Sequence, residues 1–421
     1  MTENPAADSP DSRQADSDKG AAPVAARILY ATYAVGFASN SLTLMLKVLV
    51  PLWAIQLGMS ASEIGLAIAA GGVLPVLLAI HGGSLMDRLG TRRVALVFAV
   101  VSTALSGLYP FLPYVAALFI IQLFAGLTTN MGWLGAQALI VQFGRGDTAL
   151  IAKFSLAARV GTFVAPIMIG VVWDLTGAWG AFGFCALWAL MVVAALVMVP
   201  KAAAEASAER SAEPVRLGDL VPRRADYLQA IAMMAIPAVA FIVAVTFVRL
   251  ASSAMQGSFY VVYLEGIGFS GTLIGFLIAM SEGGGLLGIS LATAMERIMA
   301  PHWVLLLHVA LSLFFISITP LLGGIFILLL IASGIRGSSQ GLSQPVMFAI
   351  LSRAVSPRDQ GMSIGLRTTV NRLSSMIIPA AMGFLVEATS LEASFIILGG
   401  VLIALCGVIA LVIRRIPGFS T

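Results

Sequence analysis

Charge is what this 421-residue sequence has least of: Asp, Glu, Lys and Arg together make 10% of it, against 59% hydrophobic residues. Water-soluble domains carry about a quarter charged residues, so a mean hydropathy of +0.99 excludes a soluble globular chain. Cysteine is nearly absent, and Cys185 and Cys406 both fall inside apolar stretches, where they support neither a disulfide framework nor a metal site. Three histidines without ligand spacing give no metalloenzyme signature, and no cofactor is expected. No Walker-type phosphate loop occurs, so the chain carries no ATPase engine. The net charge of +4 is not gathered on one soluble face but scattered through the loops between apolar runs, which excludes nucleic acid as the expected partner.

What is there is apolar length. Residues 1–26, with five acids against two bases, read as a disordered cytoplasmic tail rather than a secretory signal. Beyond them lie twelve apolar segments: 28–55, 61–85, 93–111, 114–142, 150–173, 180–199, 229–263, 271–295, 302–320, 324–350, 362–387 and 391–413. Residues 201–226, mixing Lys201, Arg210, Arg216, Arg223 and Arg224 with acids and proline, read as a cytoplasmic linker. The expected organisation is therefore an all-α membrane protein of twelve transmembrane helices in two six-helix halves, 27–200 and 227–413, with a cytoplasmic tail at 414–421. Lys and Arg concentrate in alternate loops, whereas the intervening loops carry acids such as Glu63, Asp174, Glu265 and Glu392. The positive-inside rule then puts both termini in the cytoplasm. The short outer loops and the absence of an Asn-x-Ser/Thr sequon fit a multi-pass protein of a bacterial inner membrane.

The halves repeat. An offset of 213 pairs Arg159 with Arg372, Pro166 with Pro379, Gly170 with Gly383 and Asp174 with Glu387; an offset of 210 pairs Gly58 with Gly268, Ser60 with Ser270 and Gly65 with Gly275. Two homologous halves around a shared cavity are what a rocking transporter requires.

The loop after segment 2 reads Gly83-Ser-Leu-Met-Asp87-Arg88-Leu-Gly90-Thr-Arg92-Arg93. Gly83 allows close helix approach, Gly90 suits a tight turn, and the charges can pair across helix ends, an arrangement fit for gating. This string, with the 6+6 repeat, resembles the signature of the major facilitator superfamily over the chain from about residue 27. In segment 5, Gly161-Thr-Phe-Val-Ala165-Pro166-Ile-Met-Ile-Gly170 is similar to the Gly-Pro motif of that family's twelve-helix drug:proton antiporter branch. Physically, Arg159, Gly161, Pro166 and Gly170, with Arg372, Pro379 and Gly383 in segment 11, form a candidate pivot. The antiporter resemblance implies export. Gln122 stands where that branch usually has an arginine, which removes its usual route of proton coupling.

Charges inside apolar segments mark salt bridges or function. Arg249, Arg336, Arg372, Arg159 and Lys47 face a single mid-segment acid, Glu282. Arginine binds planar anions bidentately, so Arg249 and Arg336 are the leading expected substrate contacts. Lys47, Gln340, Gln344, Asn130 and Trp133 complete the candidate binding set, with Asn40, Gln122, Gln137 and Gln256 as further polar positions. Glu282 is the candidate proton carrier, or else one side of a permanent ion pair. The expected function is secondary active transport, by alternating access, of a small amphipathic anionic or zwitterionic compound, as proton-coupled efflux by a monomer surrounded by membrane lipid. The rivals are an uptake symporter or uniporter for an organic anion, and a non-transporting membrane sensor on the same fold. An enzyme is not expected, since no nucleophile–base pair is visible.

Overall fold

The computed structural model describes residues 26–144, 147–200, 232–354 and 360–415, without the side chains of 79–81, 83, 84, 87, 88, 352–354 and 360–365. The linker 201–226, nearly all of the 1–26 tail and residues 416–421 therefore lie outside the described residues. Every described element is helical: α1 (Ala26–Gln56), α2 (Ala61–Leu89), α3 (Thr91–Leu108) and α4 (Val115–Gly144) come first. The run Thr148–Met198 is broken at Gly177, whose φ of 66° is non-helical, into α5 (148–176) and α6 (178–198). Then follow α7 (Pro237–Gly266), α8 (Gly271–Glu296), α9 (Pro301–Ser317), α10 (Phe326–Ala354), α11 (Gln360–Ala388) and α12 (Leu391–Ile413). Among the described residues, nine helical runs are long and apolar enough to cross a membrane. The 51-residue Thr148–Met198 run is one of them, and at about 1.5 Å per residue it is long enough for two crossings.

Local chemistry explains the joints. Gly90, at φ 89°, turns α2 into α3, and Gly58 and Gly268, at 68° and 87°, precede the starts of α2 and α8; such backbone favours glycine. Ser60 and Glu63 form a capping box on α2, and the Ser270 hydroxyl accepts from the Leu273 amide on α8. Segment 7 is not one smooth helix: a 3₁₀ turn at Met233–Ala235 precedes Pro237, and the helix is interrupted between Gln256 and Phe259.

Packing follows the sequence repeat. In the first half, Tyr109 stacks on Phe182 with ring centroids 4.5 Å apart, and Trp188 Nε1 donates to the Ala38 carbonyl. In the second, Ser374 on α11 donates to the Phe247 carbonyl on α7. The halves meet along two seams, α5 on α8 and α11 on α2, where backbone touches backbone. A Cβ on Gly170 would strike the Gly271 carbonyl, and one on Gly275 the Pro166 carbonyl. At the other seam Gly383 stands against the Ala61 carbonyl and Gly65 against that of Pro379. These are repeat-related positions performing one task twice. Both seams close the end of the bundle where α1 turns into α2, here called the distal end; α1 begins at the proximal end.

A leucine cannot fit at these positions. Gly275→Leu is expected to cost about 1–3 kcal/mol, read as a lowered melting temperature of the purified protein. Gly183→Ala should be neutral or stabilising, because a Cβ there meets nothing within 4 Å.

Candidate functional site

Between the halves, at mid-depth, lies a cavity of about 280 Å³. Each wall is a helical stripe spaced three or four residues apart, the spacing that keeps side chains on one face. α1 supplies Asn40, Thr43, Lys47 and Pro51; α2 supplies Ile68, Gly71 and Gly72; α4 supplies Gln122, Gly126, Thr129, Asn130 and Trp133. From the second half come Leu250, Ser253 and Gly257 on α7, with Arg372, Ser375 and Pro379 on α11. Lys47 and Arg372 are the cations of this wall, and among the described lining residues there is no carboxylate.

The polar groups are held in place. Arg372 Nη2 donates to Asn130 Oδ1, a bond across the two halves, while Asn130 Nδ2 is buried without a hydrogen-bond partner among the described residues. Gln122 accepts a 2.7 Å hydrogen bond from Tyr109 through Oε1. Trp133 lies stacked on Phe154, with 5.9 Å between centroids and 18° between planes. Such a wall can hold an anionic group between Lys47 and Arg372, offer amides to its polar substituents, and present an indole face to an apolar part.

Four other sequence candidates, Arg249, Gln340, Arg336 and Gln344, sit outside the cavity lining. Arg249 is only 7% exposed and is clamped to Gln340: Nη1 donates to Gln340 Oε1 at 3.0 Å, and Gln340 Nε2 donates back to the Arg249 carbonyl at 3.0 Å and to Ser312 Oγ at 3.2 Å. That reciprocal clamp ties α7 to α10 and engages both residues within the second half. Arg336, 2% exposed, lies over the Tyr260 ring at 4.8 Å, and its Nε and Nη2 have no hydrogen-bond partner among the described residues. Gln344 is half-buried on α10 and is not in the lining.

Glu282 stands on α8 behind the α5 seam. It lies beside the Thr162 side chain and within electrostatic reach of Lys47, Arg159 and Arg336. Two of those cations belong to the opposite half, and Lys47 also faces the cavity.

The family model described as Major Facilitator Superfamily matches residues 29–248 and 242–420. The chain belongs to the Major Facilitator Superfamily. No curated protein sequence matches it significantly. Among solved structures, a single-site variant of the nucleoside transporter NupG superposes with a TM-score of 0.77 at 15% identity, covering 91% of this chain and 99% of that one. A POT family transporter in complex with 5-aminolevulinic acid gives 0.70 at 13% identity, covering 91% and 95%. A variant of the peptide transporter POT gives 0.70 at 17% identity, covering 93% and 95%. At such identities these structures show a shared fold. The chain is thus a membrane transporter and not an enzyme.

Within this superfamily member, the candidate gate and pivot residues of the sequence divide. Gly83, Asp87 and Arg88 fall in the last part of α2, and their side chains lie outside the described residues. Gly90 makes the α2–α3 turn. Arg92 is buried and donates from Nε to the Leu196 carbonyl at 3.0 Å and from Nη2 to that of Val197 at 3.3 Å, binding α3 to the end of α6. Arg93 is exposed. Pro166, Gly170, Pro379 and Gly383 make the two seams, Gly161 packs α5 on α1 at Phe37 and Ser41, and Arg159 reaches α8 at Gly285. Sequence reading missed Thr43, Thr129, Ser253 and Ser375 in the cavity, although the Asn40–Thr43–Lys47 spacing carried the signal. It also missed Arg367, buried on α11 with its guanidinium 4.5 Å from the Phe348 ring centroid.

The clamp generates a test. Gln340→Ala leaves the buried Arg249 guanidinium without its side-chain acceptor, and should lower stability by about 1–3 kcal/mol. Affinity for a cavity ligand should stay within about twofold of the parent, since neither residue lines the cavity.

Proposed function

We propose that this superfamily member carries a small organic anion or zwitterion by alternating access, coupled to a proton on Glu282. The observation carrying the reading is the cavity wall itself, where Lys47 and Arg372 from opposite halves face the space without a lining carboxylate among the described residues. A carboxylate or phosphate between them pairs with both cations and bridges the halves, while Trp133 takes an apolar moiety. The positive-inside bias places the proximal end in the cytoplasm. With the distal seams closed, this conformation is then inward-facing.

Lys47 gives the coupling its sign. It lies near Glu282 on one side and the cavity on the other, so the substrate anion and the Glu282 carboxylate compete for one ammonium. Protonating Glu282 frees Lys47 for the anion, and anion binding in turn favours the proton. Linkage of that sign belongs to co-transport, in which an inward proton gradient drives uptake across an inner membrane. The uncharged Gln122, bonded to Tyr109, agrees with it. The second reading, proton-coupled efflux by exchange, rests on the helix-5 motif around Pro166 and requires the opposite linkage.

Binding of a panel of carboxylates, phosphates and lipophilic cations to the purified protein tests both readings. An anion should bind, and Lys47→Gln or Arg372→Gln should each weaken it by about 10- to 100-fold; binding of cations alone, unchanged in both variants, would refute the anion site. Anion affinity should rise as pH falls, and Glu282→Gln should flatten that dependence at the tight-binding level. Affinity that weakens on acidification through Glu282 would establish exchange instead. Flux in proteoliposomes separates either transporter from a sensor that binds without moving its ligand.

A further inference from the structure

The repeat mates Asp174 and Glu387 lie at the two seams, outside the cavity lining. Asp174, near the end of α5, reaches across to the second half: its Oδ1 accepts from the Gly271 amide at 2.7 Å, and its Oδ2 accepts from the Thr272 amide at 2.8 Å and the Thr272 hydroxyl at 2.6 Å. The Ser270 hydroxyl also bonds it. Glu387, near the end of α11, does the same in the opposite direction. Its Oε1 accepts from the Ser62 amide at 2.9 Å, and the Ser60 and Ser62 hydroxyls reach the same carboxylate. The recipients are repeat mates as well, Ser60 with Ser270 and Ser62 with Thr272, at the constant offset of 210.

Each carboxylate thus caps the first turn of a helix in the other half, where free amides and the helix dipole favour a negative charge. Hydrogen bonds to an ionised acceptor are about twice as strong as neutral ones. Within its own half, neither helix needs this service: α2 has its own capping box from Ser60 and Glu63, and α8 has the Ser270 cap. The bonds exist only while the halves are together at the distal end, and alternating access requires them to part there.

We infer that Asp174 and Glu387 are twin latches: positioning residues that set the balance between distal-closed and distal-open states of the transport cycle. They act through the seams rather than through substrate. Asp174, which accepts from two backbone amides where Glu387 accepts from one, is the stronger.

The test uses the full chain with paired spin labels at Tyr114→Cys and Leu321→Cys, exposed distal-end positions in opposite halves, and pulsed electron resonance to read the distances. The native thiols Cys185 and Cys406 are buried. Asp174→Ala should raise the ratio of long to short distances by about tenfold, Glu387→Ala by less, and the double variant by about the product. Thr272→Val and Ser62→Ala, which keep the carboxylates and remove the hydroxyl donors, should shift the ratio in the same direction by less. Melting temperatures of all variants show whether they are folded. An unchanged distance ratio in a folded double variant would overturn the assignment, as would a lowered melting temperature with no movement in distance. The readout uses no substrate, so it stands or falls separately from the proposed anion site.

Discussion

Backbone lying directly on backbone, at two repeat-related seams, is the constraint on which the rest of this structure depends. With no Cβ at Gly65, Gly170, Gly275 and Gly383, α5 meets α8 and α11 meets α2 at their distal ends. In a membrane there is little hydrophobic gain from helix association, and small residues that permit close packing supply the contact instead. Two such seams close one end and leave the cavity between them at mid-depth. Proline at 166 and at 379 fits the same geometry, since each presents the carbonyl that a glycine of the opposite half must accommodate.

The fold was largely legible in the sequence because membrane insertion makes its demands on every crossing. Apolar length and the constant offsets between halves read directly as helices and duplication, and the pairs Pro166/Pro379 and Gly170/Gly383 lie where the seams form. The site was legible only in part. Lys47, Asn130 and Trp133 do line the cavity, whereas Arg249 is spent on Gln340, and Arg336 lies against Tyr260 outside the lining. A charge within an apolar helix announces that it needs a partner; it does not announce which face it occupies. On helices apolar all round, the contrast that marks a buried face in a soluble protein is missing. The informative signal was finer, a stripe of small hydroxyls and amides at three- and four-residue spacing on α1, α4 and α11.

Cationic charge inside the bundle is allocated by different physical means. Arg92 ends a helix by binding its last carbonyls, Arg249 is absorbed by an amide, and Arg336 and Arg367 lie over aromatic rings. Arg372 joins Asn130 across the halves but remains on the cavity wall, as does Lys47. What separates a structural arginine from an available one here is the company it keeps. Neutral acceptors within one half immobilise the side chain, whereas groups contributed by the opposite half change with the conformation of the carrier.

The single-residue joint at Gly177 has a consequence for how this chain can vary. Helical geometry resumes immediately on either side of it, so α5 and α6 share a fixed register with no slack between them. Adding or deleting one residue would rotate α6 by about 100° about its axis, swinging Phe182 off Tyr109 and Cys185 out of the core while Asp174 stayed at its seam. Substitutions along α6 can be absorbed one at a time by neighbouring side chains, but a change of length at that corner cannot. Indels should therefore be rejected at residues 174–178, a constraint set by one glycine's dihedral angle.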